Sequence, residues 1–222
     1  MNKQYQLVIF DWDGTLIDSA GRICQCLALA AEDTGLDILE AEQYRDIIGL
    51  GLPEAFRKLY PGVSCATTMD RMRDRYSHHF LGREDSPSEF YERVEEGLAC
   101  LWESNLKTAV ATGKSRRGLN RVLDVCGWHG AFDATRCADE TRSKPHPQML
   151  MEILEETGTA PEDAIMVGDT EYDMDMARQA GVDRIAMGYG AHSIDRLAPY
   201  APVLSAHHFD DVMAFLDRSI VS

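Results

Sequence analysis

The sequence predicts an α/β protein, a parallel sheet with helices on both faces and an all-helical segment inserted after the first strand. Three observations carry this. From about residue 92 onward, short apolar runs alternate with stretches of helical periodicity, the rhythm of strand–helix–strand units. The first apolar run, Leu7 to Phe10, has no polar position, as expected of a strand covered on both faces. Between residues 16 and 90 helical patterns follow one another with no strand between them.

The elements follow in order. A strand over Gln6 to Phe10 stops at Asp11. Asp18-Ser19 offers a helix N-cap, and apolar positions Ile23, Leu27, Ala30 and Ala31 carry a helix to the stop at Gly35. Further helices are expected near 41–48, 52–60 and 66–80, and the polar stretch 82–90, with Pro87, leads back out of the insert. Then come helix 92–103, strand Lys107 to Ala111, helix 116–125, a short strand near 132–137, helix 147–156, strand Ala164 to Val167, helix 172–179, strand Asp183 to Met187 and a closing helix near 209–219. The expected division is therefore a core of residues 1–15 and 91–222 and a helical cap of residues 16–90.

Composition narrows the function classes. The 222 residues are 45% hydrophobic and 27% charged, enough apolar content to bury a sizeable core. No stretch approaches a membrane-spanning length, and the N-terminus fits neither a secretory signal nor a transit peptide, so a cytoplasmic protein without a membrane partner is expected. A net charge of −15 repels nucleic acid, and an anionic ligand must be met by local cations. The six cysteines are dispersed without a C-x-x-C pair and are expected to be reduced and buried. The arginines at 71, 73 and 75 are expected on a solvated helix face, and Met149, Met151 and Met166 in the core.

Four strand ends carry candidate chemistry. In Asp11-Trp12-Asp13-Gly14-Thr15 the two carboxylates of an extended segment point the same way, and Gly14 permits a sharp turn beyond them. Asp169 and Asp173 stand four apart where a helix begins, so they can share a face; Asp173 could equally cap or support. Lys144 precedes Pro145, which holds its backbone extended. Thr112-Gly113-Lys114-Ser115 ends a strand and opens a helix, giving a hydroxyl and free N–H groups suited to an anion, with Ser115 as an ordinary helix cap.

Taken together and in this order, Asp11 to Thr15, Thr112, Lys144 and Gly168 to Asp173 resemble the motifs of the haloacid dehalogenase-like hydrolase superfamily. Over essentially the whole chain the sequence looks most like its phosphoglycolate phosphatase group, which implies a Rossmann-like core with a helical cap. The resemblance implies that Asp11 is the nucleophile that forms an aspartyl phosphate and that Asp13 is the general acid and base. It implies that Thr112 and Lys144 hold the phosphoryl oxygens, and that Mg²⁺ is bound by Asp11, the backbone carbonyl of Asp13 and Asp169, with Asp173 behind them. Position 113 departs from the group's usual Asn, so any phosphate contact by Gly113 comes from its N–H. The expected substrate is a small phosphorylated metabolite such as phosphoglycolate, and the expected state a monomer or homodimer. A phosphomutase of the β-phosphoglucomutase type is the alternative, and a non-catalytic ligand-binding member a more distant one, since Asp11, Asp13 and Lys144 are all present. In the cap, Gly49 is expected at a bend against the ligand, and Arg45 and Arg57 could pair with a substrate carboxylate; otherwise they face solvent.

Overall fold

The computed structural model describes residues 3–82 and 89–220. Its strands are β1 (Leu7–Phe10), β2 (Lys107–Thr112), β3 (Ala134–Cys137), β4 (Ala164–Gly168), β5 (Asp183–Met187) and β6 (Leu204–Ala206). They form one sheet, ordered β3-β2-β1-β4-β5-β6. Every pairing is parallel. The order reverses direction between β1 and β4, which is where an open α/β sheet leaves a crevice at the carboxyl ends of its strands.

Alternation along β1 explains why its run is unbroken. Val8 and Phe10 join one buried cluster with Leu98, Leu119, Phe209 and Val212, whereas Leu7 and Ile9 join another with Met149, Ile153, Met166 and Met176. The first layer comprises α5 (Val94–Trp102), α6 (Arg116–Cys126) and α10 (Phe209–Ile220), and the second α7 (Gln148–Thr157) and α8 (Glu171–Ala180). Burying one such aliphatic or aromatic side chain is worth about 1.5–3 kcal/mol, so the sheet is held from both faces. Trp12 also points into the first layer, its ring edge-on to Trp128 and Phe132.

Four helices follow β1: α1 (Ala20–Thr34), α2 (Ala41–Arg45), α3 (Leu52–Leu59) and α4 (Ala66–Leu81). They enclose their own core of Ile23, Leu27, Tyr44, Ile47, Phe56 and Met72. The chain enters and leaves this insert side by side, since Ile17 bridges Phe90 and the Asp18 N–H donates to the Glu89 carbonyl at 2.9 Å. The expected connection 82–90 lies mostly outside the described residues, which omit 83–88.

Some expectations need correction. Met151 is 58% exposed, because it lies on the outer side of α7 while Met149 and Met166 are buried. Of the six free cysteines only Cys26 and Cys137 are buried, and Cys65 and Cys100 are exposed. Ser19 precedes α1 but makes no side-chain cap; its hydroxyl is spent elsewhere. Strand β6 and a short helix α9 (Ile194–Leu197) were not anticipated.

Candidate active site

The carboxyl ends of β1 and β4 bring the acidic residues together. Asp11 continues β1, its N–H donating to the Val167 carbonyl at 2.9 Å, and Asp169 follows β4 directly. Carboxylate oxygens of Asp11, Asp169 and Asp173 all lie within 4.8 Å of one another, and all three residues are buried. Gly14 makes this possible at φ +87°, since a Cβ there would come within 2.2 Å of Asp169 Oδ2.

Lys144 answers the acids from below. Its Nζ donates to Asp11 Oδ1 and to Asp173 Oδ1, each at 2.6 Å, with the whole side chain buried. Burial by itself would depress the lysine, but the two carboxylates outweigh it and the net shift is upward, so the ammonium is retained. Burial drives Asp11 upward, partly countered by Lys144 and reinforced by Asp173 and Asp169. Asp169 is pushed up to about 7, by burial first and then by Asp173. It accepts hydrogen bonds from Thr15 Oγ1 at 2.9 Å and from the Ala191 N–H at 2.7 Å. Asp173 Oδ2 accepts from Thr170 Oγ1 and the Thr170 N–H, closing a capping box on α8, so this residue both caps the helix and holds the lysine. One acceptor is left over: Asp11 Oδ2 is buried without a partner. Three carboxylates against one ammonium, with an orphaned oxygen among them, is an all-oxygen donor set suited to a hard divalent cation.

Asp13 points the same way but stands outside this cluster. Its Oδ1 accepts from Ser19 Oγ at 2.7 Å, and its Oδ2 pairs with Lys114 Nζ at 2.9 Å. Thr112 is fully buried at the end of β2, its Oγ1 accepting from the Lys114 N–H at 3.1 Å, while Ser115 caps α6 by accepting from the Gly118 N–H.

Gly113 is one place where the insert's backbone closes on the core. A Cβ there would lie 2.7 Å from the Gly49 carbonyl oxygen and 2.8 Å from that of Leu50. Gly49, at φ +95°, is itself pressed against Thr170, and the Gly51 N–H donates to Ser143 Oγ at 2.8 Å. The insert's 49–51 bend therefore rests on loops that follow β2, β3 and β4.

Between insert and core lies a cavity of about 190 Å³. Of the residues expected at the site, Asp11, Asp13, Gly49 and Gly113 border it. Thr112, Lys144, Asp169 and Asp173 are buried beside them. Arg45 and Arg57 do not border it; of the two readings offered for them, this agrees with side chains turned away from the ligand. Arg57 is turned outward on α3 to pair with Glu54, and Arg45 borders a separate hollow with Asp46, Lys58 and His192. Sequence reasoning offered Ser19 only as a helix cap and did not single out Thr15, Ser143 or Lys114, although Thr15 and Lys114 sit within the quoted motifs. The partners of Thr15, Ser143 and Lys114 lie far along the chain, and no local pattern announces them.

The model of the haloacid dehalogenase-like hydrolase family matches residues 8–187. The chain belongs to this family. It is 31% identical over 210 residues to the protein named Probable phosphatase IndB of Dickeya dadantii, covering 93% of this chain and 91% of that one. It is 27% identical to the phosphoglycolate phosphatase of Aquifex aeolicus, covering 97% and 99% of the two chains. A haloacid dehalogenase-like family hydrolase from Streptococcus pneumoniae shares the fold with a TM-score of 0.80 at 23% identity, over 95% of this chain and 98% of that one. The chain is thus a phosphatase, a hydrolase of phosphate esters. Among the described residues no helix is long and apolar enough to cross a membrane.

Proposed function

We propose that this phosphatase is a Mg²⁺-dependent phosphomonoesterase working through an aspartyl phosphate on Asp11. The observation that carries the reading is the unpartnered, buried Asp11 Oδ2 in a cluster of three carboxylates tied together by Lys144. Asp11 and Asp169, with the backbone carbonyl of Asp13, would hold the ion. When bound, Mg²⁺ neutralises charge on the carboxylates and the phosphoryl oxygens, which lets an anionic nucleophile meet an anionic substrate.

The remaining steps belong to the chain's own groups. An Asp11 carboxylate oxygen attacks phosphorus, the bond from phosphorus to the ester oxygen breaks, and Asp13 gives that oxygen its proton. Asp13, now a carboxylate, takes a proton from water. The water oxygen then attacks phosphorus, the bond to Asp11 breaks, and phosphate leaves. Thr112, the Gly113 N–H and Lys144 hold the phosphoryl oxygens, with Asp173 fixing Lys144 in place. The helical insert, residues 16–90, acts as a lid hinged where the chain enters and leaves it, at Ile17 and Phe90.

Phosphate release from a panel of monoesters, with Mg²⁺ and with chelator, tests this. Activity that survives chelation would overturn the metal assignment. Recovery of an isomerised ester instead of free phosphate would establish the phosphomutase alternative.

A further inference from the structure

We infer that the alcohol carried by the substrate is uncharged and apolar, about one six-membered ring in size, and is read by the insert. The inference rests on the proposal that Asp11 and Asp13 face the scissile phosphate, for it concerns what lies beyond them in the same cavity.

The insert's wall of that cavity is mostly hydrocarbon. Leu27 from α1, Ile48 before the bend, Leu52 from α3, and Tyr76 and Phe80 from α4 line it together with the hydroxyl residue Ser77, and among the described residues of the insert no charged side chain does. Tyr76 and Phe80 stack 5.6 Å apart at a 33° tilt, presenting a ring surface. The cations that border the cavity come from the core: Lys114, held by Asp13 at 2.9 Å and lying against the Phe80 ring, and Arg117 and Arg121 further along α6. A second anionic group on the substrate, if it lay under the insert, would lose hydration against aliphatic and aromatic carbon with no opposite charge among the described residues on that side. Size sets the other limit. A dry cavity of about 150 Å³ lined by Leu, Ile and Phe admits benzene. A space of about 190 Å³, with the phosphoryl group taking its acidic end, leaves room for a group of that order.

The experiment uses the full-length protein with Mg²⁺ and three non-hydrolysable phosphonates: methylphosphonate, benzylphosphonate and phosphonoacetate, with affinities read by calorimetry. Benzylphosphonate should bind about 10-fold or more tighter than either of the others, the gain expected from burying most of a ring. Leu52→Arg changes a half-buried wall residue at the start of α3, and its fold is checked by thermal melting. It should cut the ratio of benzylphosphonate to phosphonoacetate affinity at least tenfold. Phosphonoacetate binding as tightly as benzylphosphonate, binding of neither, or a ratio unmoved in folded Leu52→Arg would each overturn the inference. Turnover of ethyl, butyl and benzyl phosphate is measured in parallel, since their leaving alcohols differ little in acidity. A preference for benzylphosphonate without hydrolysis of any ester would sink the phosphatase mechanism and leave the apolar site standing.

Discussion

Gly113→Ala isolates the contact between insert and core. The backbone of Gly113 is not left-handed, so alanine fits its conformation, and the substitution keeps the N–H offered to the phosphoryl group. What changes is one methyl, placed 2.7 Å from the Gly49 carbonyl oxygen and 2.8 Å from that of Leu50, where ordinary contact begins at 3.4 Å. The bend must therefore retreat by 3.4 − 2.7 = 0.7 Å, and both obstructing atoms are backbone, which cannot rotate aside. Overpacking of this kind costs about 1–3 kcal/mol. The insert can escape it by swinging away on its hinge, so the cost falls on the closed state, whose population should drop roughly 5- to 150-fold relative to the open one. Steady-state kinetics should show kcat/KM for an ester with a ring-sized alcohol falling within that range. The melting temperature should move little, because the sheet and the insert's own core are untouched. A kcat/KM within twofold of the parent, in a normally melting protein, would refute the view that Gly113 seats the closed insert.

Three other outcomes are expected. Asp11→Asn should lower turnover by about 10⁴-fold or more, as removal of a nucleophile does, and should abolish any acid-trapped phosphoenzyme; near-normal turnover would exclude covalent catalysis through Asp11. Lys144→Met leaves Asp11, Asp169 and Asp173 buried without their cation, so chemical denaturation in chelator should show a loss of about 3–5 kcal/mol, partly restored by Mg²⁺; equal stability with and without the ion would argue against a divalent site. Cys65, exposed at the start of α4, has its thiol held below the ordinary value, chiefly by the Thr68 N–H, whereas burial pushes Cys137 up to about 12. A lowered pKa means more thiolate at any pH beneath the ordinary range, so iodoacetamide mapped by mass spectrometry should mark Cys65 ahead of Cys100, which is also exposed, at neutral pH and leave Cys137 untouched until unfolding.

What could be read from the sequence was whatever repeats locally. The unbroken run of β1 and the strand–helix alternation after residue 92 reported a parallel sheet, because burial on both faces leaves no polar position to hide. Short, edge-lying β6 gave no such signal: Leu204-Ser205-Ala206 is half exposed and pairs on one side only, with β5. The convergence of Asp11, Lys144, Asp169 and Asp173 was legible because each lies in or just after a segment that leaves the carboxyl end of a strand, and a parallel sheet collects those ends in one place. Contacts between the insert and the core were not. Arg57 and Arg45 look suitable for a carboxylate in sequence, but helix phase decides where a side chain points, and α3 turns Arg57 toward Glu54. Gly113 read as a position with only its N–H left for a phosphate contact; in the fold its missing side chain is the space that the Gly49 and Leu50 carbonyls fill.

That substitution of a side chain by backbone links the lid to the chemistry. Asp13 is held from two sides, by Ser19 at the first turn of the insert and by Lys114 from the core, and Lys114 in turn lies against Phe80 of α4. Both neighbours of the proposed acid thus depend on where the insert stands. With the bend seated on Gly113, Ser19 and Phe80 fix Asp13 and Lys114 while hydrocarbon closes over them, lowering the local dielectric in which the proton must be delivered. With the bend lifted, Phe80 would no longer lie against Lys114, and water would reach the carboxylate. A lid that positions the acid as it excludes water makes recognition of the alcohol a condition for protonating it, so binding an ester that fits the insert is spent on the step that breaks its bond.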